Sequence, residues 1–145
     1  MSMHASTAKA PYFPSLAGFT ILVLEDDEDT MELLRAVLGA CGAHVLMAPT
    51  TQHARGYLAT ARPDLMISDL ALPHEDGVAF VRWLRTQPDP ALARLPVIAV
   101  TAFYEDYPPG RANDFAAYFR KPVPIDDLVR TMADLLNPPR RRKSS

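Results

Sequence analysis

The sequence predicts an α/β fold, a five-stranded parallel sheet with helices on both faces. Three observations predict it. Short apolar runs of strand length alternate with segments whose apolar residues recur at helical spacing, the pattern of repeated βα units. The runs are continuously apolar instead of alternating with polar residues, as strands buried on both faces must be. At 145 residues with 48% hydrophobic and 22% charged side chains, the chain has the size of one domain and enough apolar surface to build a core.

Taken in order, the first run is Thr20–Leu24. The first helix follows it, with Leu34, Val37, Leu38 and Cys41 as its apolar stripe. Glu28 and Asp29 at its start favour the positive end of the helix dipole, a structural role. A second run spans residues 44–47, and Ala54, Tyr57, Leu58 and Ala61 mark the second helix. The third run, 65–68, leads to a helix with Gly77, Phe80, Val81 and Leu84 on one face. The fourth run covers 96–100. The helix after it has to fit between Ala102 and Asp114, where Pro108, Pro109 and Gly110 intervene; proline inside a helix costs roughly 3 kcal/mol, so this fourth helix is expected to be short or irregular and residues 103–113 unusually mobile. A last run at 117–119 precedes a helix carrying Ile125, Leu128, Val129, Met132 and Leu136, bounded by Pro124 and Pro138. Strands joined through helices in this way imply right-handed crossovers.

The expected domain spans residues 17–136, between a flexible N-terminal tail (1–16) and a basic C-terminal tail (137–145), because neither end carries periodic apolar residues. Several of the 14 prolines fall in pairs at Pro11/Pro14, Pro88/Pro90 and Pro138/Pro139, where they punctuate the chain without disordering it. No apolar stretch approaches the roughly 20 residues of a membrane helix. A net charge of -2 provides no bulk attraction to nucleic acid; Arg140, Arg141, Arg142 and Lys143 are the one basic run and read as a solubilising tail or a cut linker. The N-terminus lacks a signal-type apolar segment and Cys41 is a lone cysteine, so the expected location is the cytoplasm.

In open parallel sheets ligands bind at the carboxyl ends of the strands, so the residues closing each run carry the information about chemistry. Strand one ends in Glu25, Asp26 and Asp27, strand three in Asp69, strand four in Thr101 and strand five in Lys121 and Pro122. Taken singly, Asp69 reads as a cap or turn residue, Thr101 as a strand former and Lys121 as a surface charge. One rim that collects all of them suits a single site. Clustered carboxylates repel unless a cation neutralises them, and Mg²⁺ takes hard oxygen ligands, with Asp26 and Asp69 the best pair. An aspartate can also attack a phosphoryl group to form an acyl phosphate; Lys121 would then neutralise the added charge and Thr101 donate a hydrogen bond to it.

The segments Ile21 to Asp27, Met66 to Pro73 with Asp76 and Gly77 behind it, Val97 to Ala102 and Tyr118 to Pro122 resemble the response-regulator receiver domain of two-component signalling. The resemblance covers nearly the whole body. It implies a flavodoxin-like (βα)5 fold, with Glu25 and Asp26 as the acidic pair, Asp69 as phosphoacceptor, Thr101 as switch hydroxyl, Tyr118 as switch aromatic and Lys121 as the site lysine. It further implies Mg²⁺ bound by Asp26, Asp69 and the backbone carbonyl of Ala71, with Glu25 in place of the commoner Asp reaching the metal through water. The Lys121–Pro122 bond is expected to be cis.

The resulting expectation is a signalling receiver, not a classical enzyme, that takes a phosphoryl group from the phosphohistidine of a sensor histidine kinase or histidine phosphotransfer protein and signals to a downstream protein. Competing expectations are a degenerate receiver that docks without phosphorylation and a receiver cut from a hybrid histidine kinase, the latter suggested by the lead-in from Leu16 to Ile21. A nucleotide-binding domain is disfavoured because no glycine-rich phosphate loop follows any strand.

Overall fold

The computed structural model describes residues 13–102 and 114–138. Five parallel strands, β1 (Thr20–Leu24), β2 (His44–Ala48), β3 (Leu65–Asp69), β4 (Val97–Thr101) and β5 (Ala117–Arg120), form one sheet in the order β2-β1-β3-β4-β5. The helices are α1 (Glu28–Ala40), α2 (Thr51–Thr60), α3 (Gly77–Arg85), a single turn α4 (Pro90–Ala93) and α5 (Ile125–Leu136). The flavodoxin-like architecture expected from the sequence is therefore present. The expected irregular helix on residues 103–113 lies outside the described residues.

Alternation along each strand divides the core. Ile21, Val23, Leu65, Ile67, Ile98 and Val100 pack with Leu34 and Leu38 of α1 and with Leu128, Val129 and Met132 of α5. Leu22, Leu24, Met66, Val97 and Ala99 face the other way, onto Ala54 and Leu58 of α2 and Val78, Phe80, Val81 and Leu84 of α3. These two layers hold each strand from both sides, which is why the strands read as unbroken apolar runs.

Side chains cap the helices that lead away from the sheet. Asp27 starts α1 by accepting from the Thr30 N–H at 2.9 Å and its hydroxyl at 2.6 Å, which hold the Asp27 carboxyl below its ordinary range. Thr50 caps α2 through the His53 N–H, and Asp76 caps α3 through the Val78 N–H.

Several boundaries differ from the sequence expectation. Packing begins before residue 17: Leu16 is fully buried, donates its N–H to the Cys41 carbonyl at 2.7 Å, and has Phe13 against the same core layer. Ala61, expected in the α2 stripe, is instead the exposed C-cap of that helix. Pro96 lies outside β4, whose buried end is Thr101. The single turn α4 was not expected, since Pro88 and Pro90 read only as punctuation between α3 and β4; Pro90 occupies its first turn and Asp89 caps it.

Candidate functional site

The parallel sheet aligns the strand ends. Leu24 pairs with Ser68, Asp69 with Val100 and Thr101 with Arg120, so Glu25, Asp69, Thr101 and Lys121 all leave the sheet along one edge. That edge includes the reversal of strand order between β1 and β3, where open α/β sheets form a crevice.

Glu25 is fully buried at the end of β1, Asp26 beside it is exposed, and Asp69 is 4% exposed. Carboxylate oxygens of the three lie within 4.8 Å of one another. Opposite ligands of an octahedral Mg²⁺ stand about 4.1 Å apart, so this set of hard oxygens fits a divalent cation with slight closure. Glu25 Oε1 adds a second sign of fit. It is buried without a hydrogen bond: Lys121 Nζ stands 2.9 Å away, but out of line for bonding.

Lys121 joins the acidic groups. Its Nζ lies 2.9 Å from Asp69 Oδ2 and donates to Glu25 Oε2 at 3.1 Å, while that Glu25 oxygen also accepts from the Asp27 N–H at 3.0 Å. The other Asp69 oxygen, Oδ1, accepts from the Ala71 N–H at 3.0 Å, so the carboxylate is held at both ends. Burial raises the pKa of Glu25, helped by the neighbouring Asp69 charge, against the opposing bonds from Lys121 and Asp27. Burial alone would lower the Lys121 pKa, but its bonds to Glu25 and Asp69 and their charges outweigh this and raise it. The two upward shifts are compatible, because one ammonium cannot neutralise two buried carboxylates. Lys121 stays charged and the site retains an excess of acid.

Thr101 is fully buried at the end of β4, and its carbonyl accepts from the Lys121 N–H at 3.0 Å. The Lys121–Pro122 bond is cis, as the resemblance implied. Tyr118 is half-buried on the α2/α3 side of the sheet, opposite Ala99 in register, with its ring 5.2 Å from that of Phe115.

The loop from Leu70 to Asp76 brings Ala71 to the site. Ala71 bridges Asp76 across the loop, and the Gly77 N–H donates to the Leu70 carbonyl at 2.9 Å. A Cβ on Gly77 would stand 2.6 Å from Leu70 Cα and 2.7 Å from the Asp69 carbonyl oxygen, so only glycine lets α3 begin this close to Asp69. Sequence reasoning placed Gly77 on a helical stripe and among the residues of the resemblance, but with no steric reason for a glycine there. It also missed Thr51, Arg55 and Glu75, which tie the loop to α2: Glu75 Oε1 accepts from Thr51 Oγ1 at 2.5 Å, and Glu75 Oε2 from Arg55 Nη2 at 3.1 Å. No spacing signal marks this triad, since Glu75 is 24 and 20 positions away from its partners.

The response regulator receiver domain family matches residues 21–133. Among curated relatives, a 14.6 kDa protein from the sodA1 3′ region of Leptolyngbya boryana is 38% identical over 118 residues, 80% of this chain and 88% of its own. The polar-differentiation response regulator DivK of Brucella anthropi is 31% identical over 119 residues, 81% of this chain and 95% of its own. The signal receiver domain of a Syntrophus aciditrophicus signal transduction histidine kinase superposes with a TM-score of 0.71 at 30% identity, covering 88% of this chain and 97% of that one. With the match spanning both the sheet and its acidic rim, the chain belongs to the response-regulator receiver family.

Proposed function

We propose that the chain receives a phosphoryl group on Asp69 from a phosphohistidine and acts as a conformational switch toward a protein partner. The observation that carries this reading is the Asp69 carboxylate held between the Ala71 N–H and Lys121 Nζ at the acidic edge of the sheet. A fixed carboxylate lacks the rotational freedom an attacking group must otherwise lose. In the transfer, an Asp69 oxygen forms a bond to phosphorus as the phosphorus–nitrogen bond to the donor imidazole breaks, and the leaving nitrogen takes up a proton. Lys121 meets the added negative charge, and the Thr101 hydroxyl donates to a phosphoryl oxygen. Asp26, Asp69 and the Ala71 carbonyl are the groups that would hold Mg²⁺, with Glu25 acting through water; when bound, the ion supplies positive charge against the phosphoryl oxygens.

Donors suited to this site are a sensor histidine kinase or a histidine phosphotransfer protein, both partners of the cytoplasm. Thr101 and Lys121 closing on the phosphoryl group would free space for Tyr118 to turn inward, converting a local charge into a surface change. Among the described residues no helix is long and apolar enough to cross a membrane.

The test is incubation with Mg²⁺ and acetyl phosphate, followed by mass spectrometry. A labile mass increase is expected that Asp69→Asn abolishes. An increase of equal size in that variant would place the acceptor elsewhere, and none in the wild-type protein would favour a docking module that works without phosphorylation.

A further inference from the structure

The loop that follows Asp69 is anchored at two places. Its base is closed by the Ala71–Asp76 bridge and by the Gly77 N–H on the Leu70 carbonyl. Its apex is exposed at Pro73 and His74, and there Glu75 turns toward α2. The Glu75 carboxylate collects the Thr51 hydroxyl at 2.5 Å and the Arg55 guanidinium at 3.1 and 3.4 Å, while His74 Nε2 lies 3.4 Å from the Thr51 N–H. Arg55 is itself placed over two rings of α3, with its guanidinium carbon 5.0 Å from the Phe80 centroid and 4.7 Å from that of Trp83. One guanidinium thus links α2, the loop apex and α3.

We propose that Glu75 is a positioning residue for the acidic site: through Thr51 and Arg55 it fixes the loop backbone that holds Ala71 against the Asp69 carboxylate. The inference rests on reading that site as one that holds Mg²⁺ and accepts phosphate. A residue that acts through a ligand's backbone affects affinity without touching the ion, as outer-shell partners of metal ligands do. Arg55 carries the same constraint onward, since any displacement of Glu75 moves the guanidinium over Trp83, the one tryptophan of the chain.

The test compares wild type, Glu75→Gln, Arg55→Met and the double variant. Amide hydrogen exchange at Ala71, whose N–H is bound to Asp69, should quicken about fivefold or more in Glu75→Gln, while core amides such as Val23 and Ile98 keep the wild-type rate. In titrations with Mg²⁺ alone, followed by calorimetry and Trp83 emission, each single variant should bind about three- to tenfold more weakly. The double variant should be no worse than either single one, because both break one anchor. The Trp83 response to Mg²⁺ should shrink in Glu75→Gln. Unchanged exchange at Ala71, or exchange that quickens equally throughout the core, overturns the proposal. So does a wild-type Mg²⁺ affinity in Glu75→Gln. Loosening at Ala71 together with a wild-type protein that takes no Mg²⁺ would uphold the anchor and sink the metal reading instead.

Discussion

Replacing Gly77 with alanine tests how closely α3 must approach the end of β3. The added Cβ would meet three backbone atoms at 2.6, 2.7 and 3.0 Å, where ordinary contacts fall at 3.4–4 Å. No flexible side chain can yield, so the helix start or the Asp69–Leu70 backbone has to move, and overpacking of this kind reaches about 3 kcal/mol. Alanine regains up to about 1 kcal/mol of helix propensity, which leaves a net loss of about 2 kcal/mol, or about 8 °C in melting temperature for a domain of this size. Gly56 in α2 is the control: nothing lies within 4 Å of its would-be Cβ, so Gly56→Ala is expected to stabilise by up to about 1 kcal/mol. Thermal unfolding followed by circular dichroism measures both. Because the Asp69 carbonyl is one of the clashing atoms, Gly77→Ala should also slow labelling by acetyl phosphate. A Gly77→Ala protein that melts at or above the wild-type temperature would refute the steric argument.

Three further outcomes are expected. Asp26→Asn should weaken Mg²⁺ binding and slow phosphorylation, because an amide is a poorer ligand than a carboxylate for a hard cation; superimposable titrations of the two proteins would remove Asp26 from the site. Arg85 donates from Nη1 to the Ala93 and Leu95 carbonyls at 3.2 and 2.8 Å and from Nη2 to the Asp114 carbonyl at 2.5 Å, so Arg85→Met should cost about 2–3 kcal/mol in urea unfolding, and a loss below about 0.5 kcal/mol would show those carbonyls satisfied otherwise. The hydrogen bond from Thr51 and that from Arg55 hold the Glu75 carboxyl below its ordinary value of 4.5. A depressed folded value means that its stabilising contribution is complete above about pH 4.5 and disappears as the pH falls through the folded value. The melting-temperature gap between wild type and Glu75→Gln should accordingly be flat near neutrality and close below pH 4.5; a gap that widens in acid would contradict the ion pair.

The layered architecture is legible in the amino-acid order alone, because strand and helix periodicities record which side of each element meets solvent. Ile21 and Val23 alternate with Leu22 and Leu24 into two layers, and the stripe of Leu128, Val129 and Met132 needs only its own spacing to be read. The positions of Glu25, Asp26, Asp69, Thr101 and Lys121 on one edge were legible for the same reason, since a parallel sheet sends all its strand ends one way. Their pairing was not. That Lys121 reaches both Glu25, 96 positions away, and Asp69, 52 positions away, depends on strand order and register. The burial of Leu16 against Cys41, the glycine demanded at 77 by the Asp69 backbone, and the Glu75–Thr51–Arg55 anchor likewise exist only where distant segments meet. Local sequence carries the burial preference of each residue but no information on which distant atom will stand within 3 Å of it. That distance arises only when the sheet closes and the helices dock.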